Sequence, residues 1–540
     1  MPECNQNEFA FAPHFSRQVS ARFSERQLST EGGVLLLRET DRKIGLLSRV
    51  SKCFSDHRQP WLVEHELGEV LAQRIYGLVL GYEDVNDHEE LRRDPLLALM
   101  AGKRKMEEPL AGKSTLNRLE LTPAGSPLKD RYHKITYSAE ALDRLLVEIF
   151  LEAQAQAPHQ IVLDLDVTDT PLYGQQEDRF FHGYYNEYCY LPLYSFCGDH
   201  LLCARQRASN QDASAGSREE VERIVQQIRH RWPKLRIILR ADSGFCREEL
   251  MGWCEENQVD YVFGLARNPR LQRKIASQLQ EAKQGHQKTG KAARVFAEFS
   301  YCTRKSWSRT RRVVAKAEYL EKGENPRFVV TSLPAESWEA AALYEKTYCA
   351  RGEMENRIKE QLSLFADRMS TESLRANQLR LYFSSLAYVL VHGLRRLALA
   401  GTQWAQAQVH TIRLRLLKIA AEVRLSVRRI WVSFSNAYPW KDMFAAAWLA
   451  LHPAPQVRQA FLPLHARLAA RKHHPAILYR RQIEFAADLF QAIPVRNDLT
   501  INPEPRDAAV GKDFEAQMGP ARIADNLERI QRVAIKIYLL

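Results

Sequence analysis

Long apolar runs are missing from this 540-residue chain: nothing approaches the ~18 consecutive apolar residues that a membrane-spanning helix requires. The opening MPECNQNEFAFAPHFSRQ lacks the hydrophobic core of a secretory leader. Paired cysteine spacing is missing as well. The nine cysteines, at 4, 53, 189, 197, 203, 246, 254, 302 and 349, are odd in number and contain no CxxC. That pattern excludes a disulfide framework and a zinc ribbon, and fits reduced thiols in a cytoplasmic protein. The first 120 residues contain no clear helix-turn-helix signature.

What is present is a globular composition, 45% hydrophobic and 26% charged, in a chain long enough for two to four domains. A formal charge of +12 and a pI near 9.2 favour a polyanionic partner, nucleic acid first.

Along the chain, residues 1–157 read as mainly helical and as a DNA-binding region. A helix is expected to begin near Gly32-Gly33. Another spans Trp61 to Tyr82 on the apolar stripe Leu67, Val70, Leu71, Ile75, Leu78, Val79 and stops at Gly81. Lys103, Arg104, Lys105, Lys113 and Arg118 supply basic charge. A third helix starts behind Ser138 as N-cap and ends before Pro158.

Residues 158–268 change character. IVLDLDVT alternates apolar and acidic residues, so Asp164 and Asp166 lie on one side of a strand, a place where aspartate is disfavoured and where breaking the local rule marks a working site. Two more strands follow through FFHGYYNEYCYLPLYSF and HLLCARQRAS, the first dense in Phe180, Phe181, Tyr184, Tyr185, Tyr188 and Tyr190. Packing against the sheet is the preferred role of these rings, with stacking on unpaired bases as the alternative. After a helix, RIILRADSGF is a short buried strand that delivers Asp242 to the carboxyl end of the sheet, where α/β folds place their chemistry. The order strand, strand, strand, helix, strand, helix, strand matches a ribonuclease H-like core. Residues 269–337 interrupt it as a β-rich insertion with Trp307 and the basic run Arg304, Lys305, Arg309, Arg311 and Arg312. Residues 338–400 return to the core, 401–440 form a basic strand hairpin, and 441–540 are a helical C-terminal extension of unassigned role.

The core's return carries YCARGEMENRIKEQL. As one helix it aligns Tyr348, Arg351, Glu355, Lys359 and Leu362 on a single face, a carboxylate between two cations. Asp166, Asp242 and Glu355 thus come from three separated elements. Carboxylates gathered without thiols or histidines suit hard cations, Mg²⁺ or Mn²⁺, and two such ions support in-line phosphoryl displacement.

The segments LDLDVTDTPLYGQQE, LRADSGFCREEL and YCARGEMENRIKEQ resemble the three acidic blocks of the bacterial insertion-sequence DDE transposases. Tyr348, Arg351 and Glu355 keep that group's Tyr-Arg-Glu spacing. GYEDVNDHEELRRDPLL, GYYNEYCYLPLY and TIRLRLLKIAAEVRLSVRRI are similar to insertion-sequence family thirteen-eighty, and the resemblance covers roughly residues 15 to 435. It implies Asp166 rather than Asp164 as the first acid, because Thr168 follows at the expected place, with Asp242 and Glu355 completing a catalytic, metal-holding set. Tyr348, Arg351 and Lys359 are the implied DNA contacts. The signature's final lysine, seven residues past the glutamate, is replaced by Leu362, and Lys359 is the substitute. An aromatic residue in the insertion that holds a flipped base is a further implication, with Trp307 the candidate by position.

The resemblance implies a transposase that binds the terminal inverted repeats of its element, cleaves double-stranded DNA at the ends, and joins the 3′ ends to target DNA as a dimer. The competing readings are a metal-dependent nuclease without strand transfer and an inactive, transposase-derived DNA-binding protein.

Overall fold

The computed structural model describes residues 8–23, 26–122 and 130–452. The part of the expected C-terminal extension beyond 452 lies outside these residues. The described chain is a mixed α/β fold around one large mixed sheet.

The helices fall where their apolar stripes and caps put them. Helix α1 (Val34–Ile44) starts directly after the Gly32-Gly33 pair. Helix α2 (Leu67–Leu80) ends at Gly81, whose φ of 99° is the left-handed stop expected of a glycine there. Helix α3 (Ala139–Ala153) is capped by Ser138, whose hydroxyl accepts from the Ala141 amide. Then come α4 (Ser217–Arg231), α5 (Glu248–Glu256), α6 (Ala276–Thr289), α7 (Gly352–Leu362) and α8 (Leu374–Leu394). Apolar almost all round, α8 is buried along nearly its whole length. It packs on the sheet, where Gln378 Nε2 donates to Ala204 O at 3.0 Å and the Tyr388 hydroxyl to Asp199 O at 2.8 Å. Residues of α1 and α2 share one hydrophobic core with α8, so the N-terminal helices are built around a helix from far down the chain. Lys103, one of the expected basic contacts, is buried beside Glu69 and His65.

The sheet contains β1 (Gln160–Val167), β2 (Leu193–Cys197), β3 (His200–Arg205), β4 (Arg236–Ala241), β5 (Asp260–Leu265), β6 (Ala293–Tyr301), β7 (Arg311–Leu320), β8 (Gly323–Glu324) and β9 (Arg327–Thr331). Across it the order is β3-β2-β1-β4-β5-β9-β7-β6, with β8 paired to β7. β1, β4 and β5 run parallel, while β2 and β3 are antiparallel. The strands after residue 269 interrupt the core in sequence but not in space. β9 pairs antiparallel with β5, and β7 and β6 continue from it in the same sheet. Left uncovered, β5 would present an open edge of unpaired backbone groups, and this pairing removes it.

Two expectations change in detail. The basic hairpin is confined to Ala421–Leu425 and Ile430–Phe434, joined to Gln27–Ser29. The preceding run, read as strand, is helical over Val409–Ile412 and Arg413–Leu417. There Val409, Ile412, Leu416 and Leu417 are buried at helical spacing, and Arg413 turns inward to donate to Val79 O at 2.7 Å, capping the end of α2. The Tyr348–Leu362 stretch is helical throughout but changes pitch: a π turn over Leu343–Tyr348, a 3-10 turn over Cys349–Arg351, then α7.

Candidate active site

The register of the central strands sets two of the acids side by side. β4 runs parallel to β1 with Arg240 opposite Asp164 and Ala241 opposite Leu165. Asp242, the first residue past β4, therefore comes level with Asp166. Its carboxylate accepts from the Gly244 amide at 2.8 Å, which turns the chain sharply after the strand. On the far side of β4, Ala241 pairs with Phe263 of β5, so Gly264 lies against this turn. A Cβ there would stand 2.6 Å from the Tyr348 hydroxyl and 2.9 Å from the Ser243 amide nitrogen. Only glycine allows such an approach.

Arg351 brings the third acid in. One of its nitrogens donates to Asp166 Oδ2 at 2.8 Å and the other reaches Glu355 Oε1 at 3.5 Å. Burial pushes the Asp166 carboxyl up to about 6; the Arg351 charge opposes that rise, while Asp242 and Glu355 both add to it. Acids from β1, the end of β4 and α7 thus share one electrostatic neighbourhood. Burial also raises the Tyr348 hydroxyl, with Arg351 opposing and Asp242 adding, which places Tyr348 in the same group.

The two acids of β1 differ in kind. Asp164 is buried in a two-pronged ion pair with Arg240, at 2.5 and 2.7 Å, and Arg240 also donates to Thr347 O at 2.5 Å. Both of its oxygens are taken by one guanidinium, a structural pairing. Glu353 faces that pair, whereas Glu355 points to Arg351 and Asp166.

The family model for the transposase DDE domain, group 1, matches residues 11–456. The chain belongs to this transposase family. Among solved structures, the cryo-EM structure of a piggyBac transposase synaptic complex with hairpin DNA is similar over 93% of this chain and 94% of that chain, at 8% identity and a TM-score of 0.37. No curated protein sequence matches.

For a DDE-family chain the question is whether these acids suit divalent ions. Their chemistry does: they are hard oxygen donors, and Asp166, made reluctant to ionise by burial first and by the other two acids in smaller part, is a carboxylate that a cation would stabilise. They are not preassembled. Among the described residues no group of three or more His, Cys, Asp or Glu side chains stands close enough to hold a metal ion, and the Arg351 guanidinium bridges Asp166 and Glu355.

Of the implied DNA contacts, Tyr348 and Arg351 lie at the acids. Lys359 is exposed one turn beyond Glu355 on α7 and makes no ion pair among the described residues. Trp307 is buried, edge-on to Tyr301 at 5.7 Å, with the Arg311 guanidinium 5.4 Å from its ring centre. It is a core residue, without the open ring face that holding a flipped base requires. The basic run around it is largely consumed: Arg311 is clamped by Glu248 and Glu255 at 2.6 Å each, and Arg312 pairs with Glu298 at 2.5 Å. Arg304 and Lys305 remain exposed.

Sequence reasoning missed Arg240 and Gly264. Each left a signal: an arginine inside the buried strand RIILRA needs an acid beside it, and a glycine inside DYVFGL marks a close approach.

Proposed function

We propose that this chain is the transposase of a bacterial insertion sequence, similar to family thirteen-eighty, and that it works in the cytoplasm on nucleoid DNA. It binds the terminal inverted repeats of its element as a dimer, cleaves at the element ends and joins the 3′ ends to target DNA. Asp166, Asp242 and Glu355 are the catalytic residues, on a ribonuclease H-like core; the strand order β3-β2-β1-β4-β5 supports that reading of the fold. The observation that carries the proposal is geometric: the β1–β4 register brings Asp242 level with Asp166, and Arg351 links Asp166 to Glu355, so acids from segments far apart in the chain meet.

Two Mg²⁺ or Mn²⁺ ions held by the three acids would supply the charge that activates a water or 3′-hydroxyl and stabilises the leaving oxygen in an in-line displacement. The chain's own residues do the positioning. Arg351 balances the acids in the free protein and offers a planar fork that matches a phosphate. Tyr348, braced against Gly264, fixes a hydroxyl beside Asp242. Lys359 adds an exposed cation one turn further along α7.

The test supplies a pre-cut element end with a free 3′-hydroxyl and a target plasmid, in Mg²⁺. Joined products are expected. Cleavage of an uncut end without joining would replace the transposase reading with that of a nuclease, and neither reaction would leave the DNA-binding reading.

A further inference from the structure

Immediately after Asp166 the chain leaves the main sheet and builds a small one. Thr170–Pro171 pairs with Glu187–Tyr190, which pairs with Phe180–His182. The unit is held firmly. The Tyr190 hydroxyl donates to Glu177 O at 2.5 Å, Ser209 Oγ to Phe180 O at 3.0 Å, and the Glu177 amide to Glu372 O at 2.7 Å. Asn186 closes the tip with a left-handed φ of 58° and its amide on His182 O at 2.8 Å.

A segment tied down this way usually hides its aromatic rings, and this one displays them. Tyr173 is 90% exposed, Tyr184 85% and Phe181 53%, with Tyr188 and Phe180 also open. They are not a collapsed cluster. Tyr184 stands at right angles to Tyr185 at 5.0 Å, and Phe181 is edge-on to Tyr188 at 5.5 Å, which leaves ring faces free. The Arg179 guanidinium stacks 3.9 Å from the centre of the Tyr188 ring. Tyr185 is the half-buried ring of its pair, and burial raises its hydroxyl to about 12, with Asp169 and then Asp166 adding. The hairpin leaves and rejoins the main sheet at the acid, where Asp166 pairs with Tyr194 and Val167 with Leu193, so its base borders the active site while its rings meet solvent. Exposed aromatic patches of this kind mark binding surfaces.

We infer that this aromatic hairpin is a stacking platform for unpaired nucleobases beside the phosphate bound at Asp166, Asp242 and Glu355. The inference rests on the proposed reading of those acids and names the part of the substrate that reading leaves open. Ring faces in company with Asp169 and Glu187, whose carboxylates meet at the hairpin's flank, suit a base rather than a phosphate. Bases next to a strand break leave the duplex most readily, and each unstacked base gains about 1–3 kcal/mol on an aromatic face. The small sheet that carries these rings begins four residues after Asp166, at Thr170, which sets the platform beside the nucleotides that flank the scissile bond.

The test uses the full chain without divalent ions and compares, by fluorescence anisotropy, a blunt duplex with the same duplex carrying a short unpaired oligothymidine tail. The tail is expected to tighten binding. Tyr184→Ala and Phe181→Ala should each remove about fivefold or more of that gain, Tyr184→Phe should keep it, and blunt-duplex binding should not change. A tail containing 5-iodouracil should photo-crosslink within residues 173–188. Tyr184 and Phe181 are both exposed, and circular dichroism of each variant checks that the fold is kept. Equal binding of blunt and tailed duplexes, or alanine variants that keep the gain, overturns the platform. So does a change of oligomeric state in the alanine variants, which would make the patch a contact between copies. Failure of the acids is separable: Asp242→Asn reports on cleavage, and the tail's contribution is read without it.

Discussion

Arg351 bridges two acids of the site, donating to Asp166 Oδ2 at 2.8 Å while its other nitrogen stands 3.5 Å from Glu355 Oε1. The bridge is incomplete compensation, because Asp166 still titrates at about 6 instead of its ordinary 3.8. The cost of burying Asp166 near two other acids is therefore carried in the free protein.

That cost has a definite sign with pH. The folded value of Asp166 is the higher one, so protonation favours the fold. Its stabilising contribution is full below pH 3.8, fades as pH rises, and is lost above about 6. The rise corresponds to about 3 kcal/mol at most, less whatever Arg351 regains from the ionised form. In the metal-free protein, the urea midpoint of Asp166→Asn relative to wild type should rise between pH 4 and pH 7. A constant difference across that range would remove Asp166 from the acidic group.

Asp164, two residues earlier on the same strand, should answer the same substitution with a loss of stability at pH 7. Among the described residues its carboxylate is the one acid paired with the buried Arg240, and Asp164→Asn strands that guanidinium. A loss of about 3–5 kcal/mol is expected from breaking a buried pair by removing one partner. Denaturant titration of the two asparagine variants side by side, at pH 7, gives the comparison.

Glu355 and Glu353 lie on the same turn of α7 and divide in the same manner. Glu355→Gln should lower end cleavage in Mg²⁺ at least about 100-fold, the scale on which losing one group that stabilises transition-state charge is felt. Glu353→Gln, which faces Asp164 and Arg240, should stay within a few fold. Single-turnover cleavage of a labelled element end measures both, and matching losses would mean the helix face has been misread.

Gly264→Ala tests how closely the site is packed. The added methyl would meet the Tyr348 hydroxyl at 2.6 Å and the Ser243 amide at 2.9 Å. Overpacking of this kind costs about 1–3 kcal/mol. Combining it with Tyr348→Phe removes one of the two clashes, so the double variant should recover part of the loss. Strict additivity in that cycle would show that the hydroxyl and the glycine are not in contact.

The elements were legible wherever one signal sufficed. A glycine at 81 ended α2, Ser138 began α3, and an acid directly after a short apolar strand gave Asp242. What escaped depended on partners distant in sequence. Residues 411–417 alternate apolar and basic positions like a strand, yet α2's end carbonyls draw Arg413 inward and the segment coils. Trp307 looked available because Glu248 and Glu255, which draw Arg311 over it, lie some fifty residues upstream. The aromatic hairpin was read as packing because ring-rich runs ordinarily are buried; nothing local says that Tyr184 faces solvent.

Lys359 separates phosphate binding from chemistry. It is exposed and unpaired among the described residues, so its charge is available to DNA without first breaking an ion pair. A phosphate contact releases a condensed counterion, and each one contributes about 0.9 to the slope of log binding constant against log salt on duplex DNA. Lys359→Ala should therefore flatten that slope by about 0.9 and weaken binding most at low salt, while the pH dependence of folding stays as in wild type. The same variant should bind blunt duplexes of unrelated sequence more weakly by a similar factor, since a phosphate contact carries no base information. Titrations by anisotropy from low to physiological salt measure both effects, and an unchanged slope would place the Lys359 ammonium away from the DNA backbone.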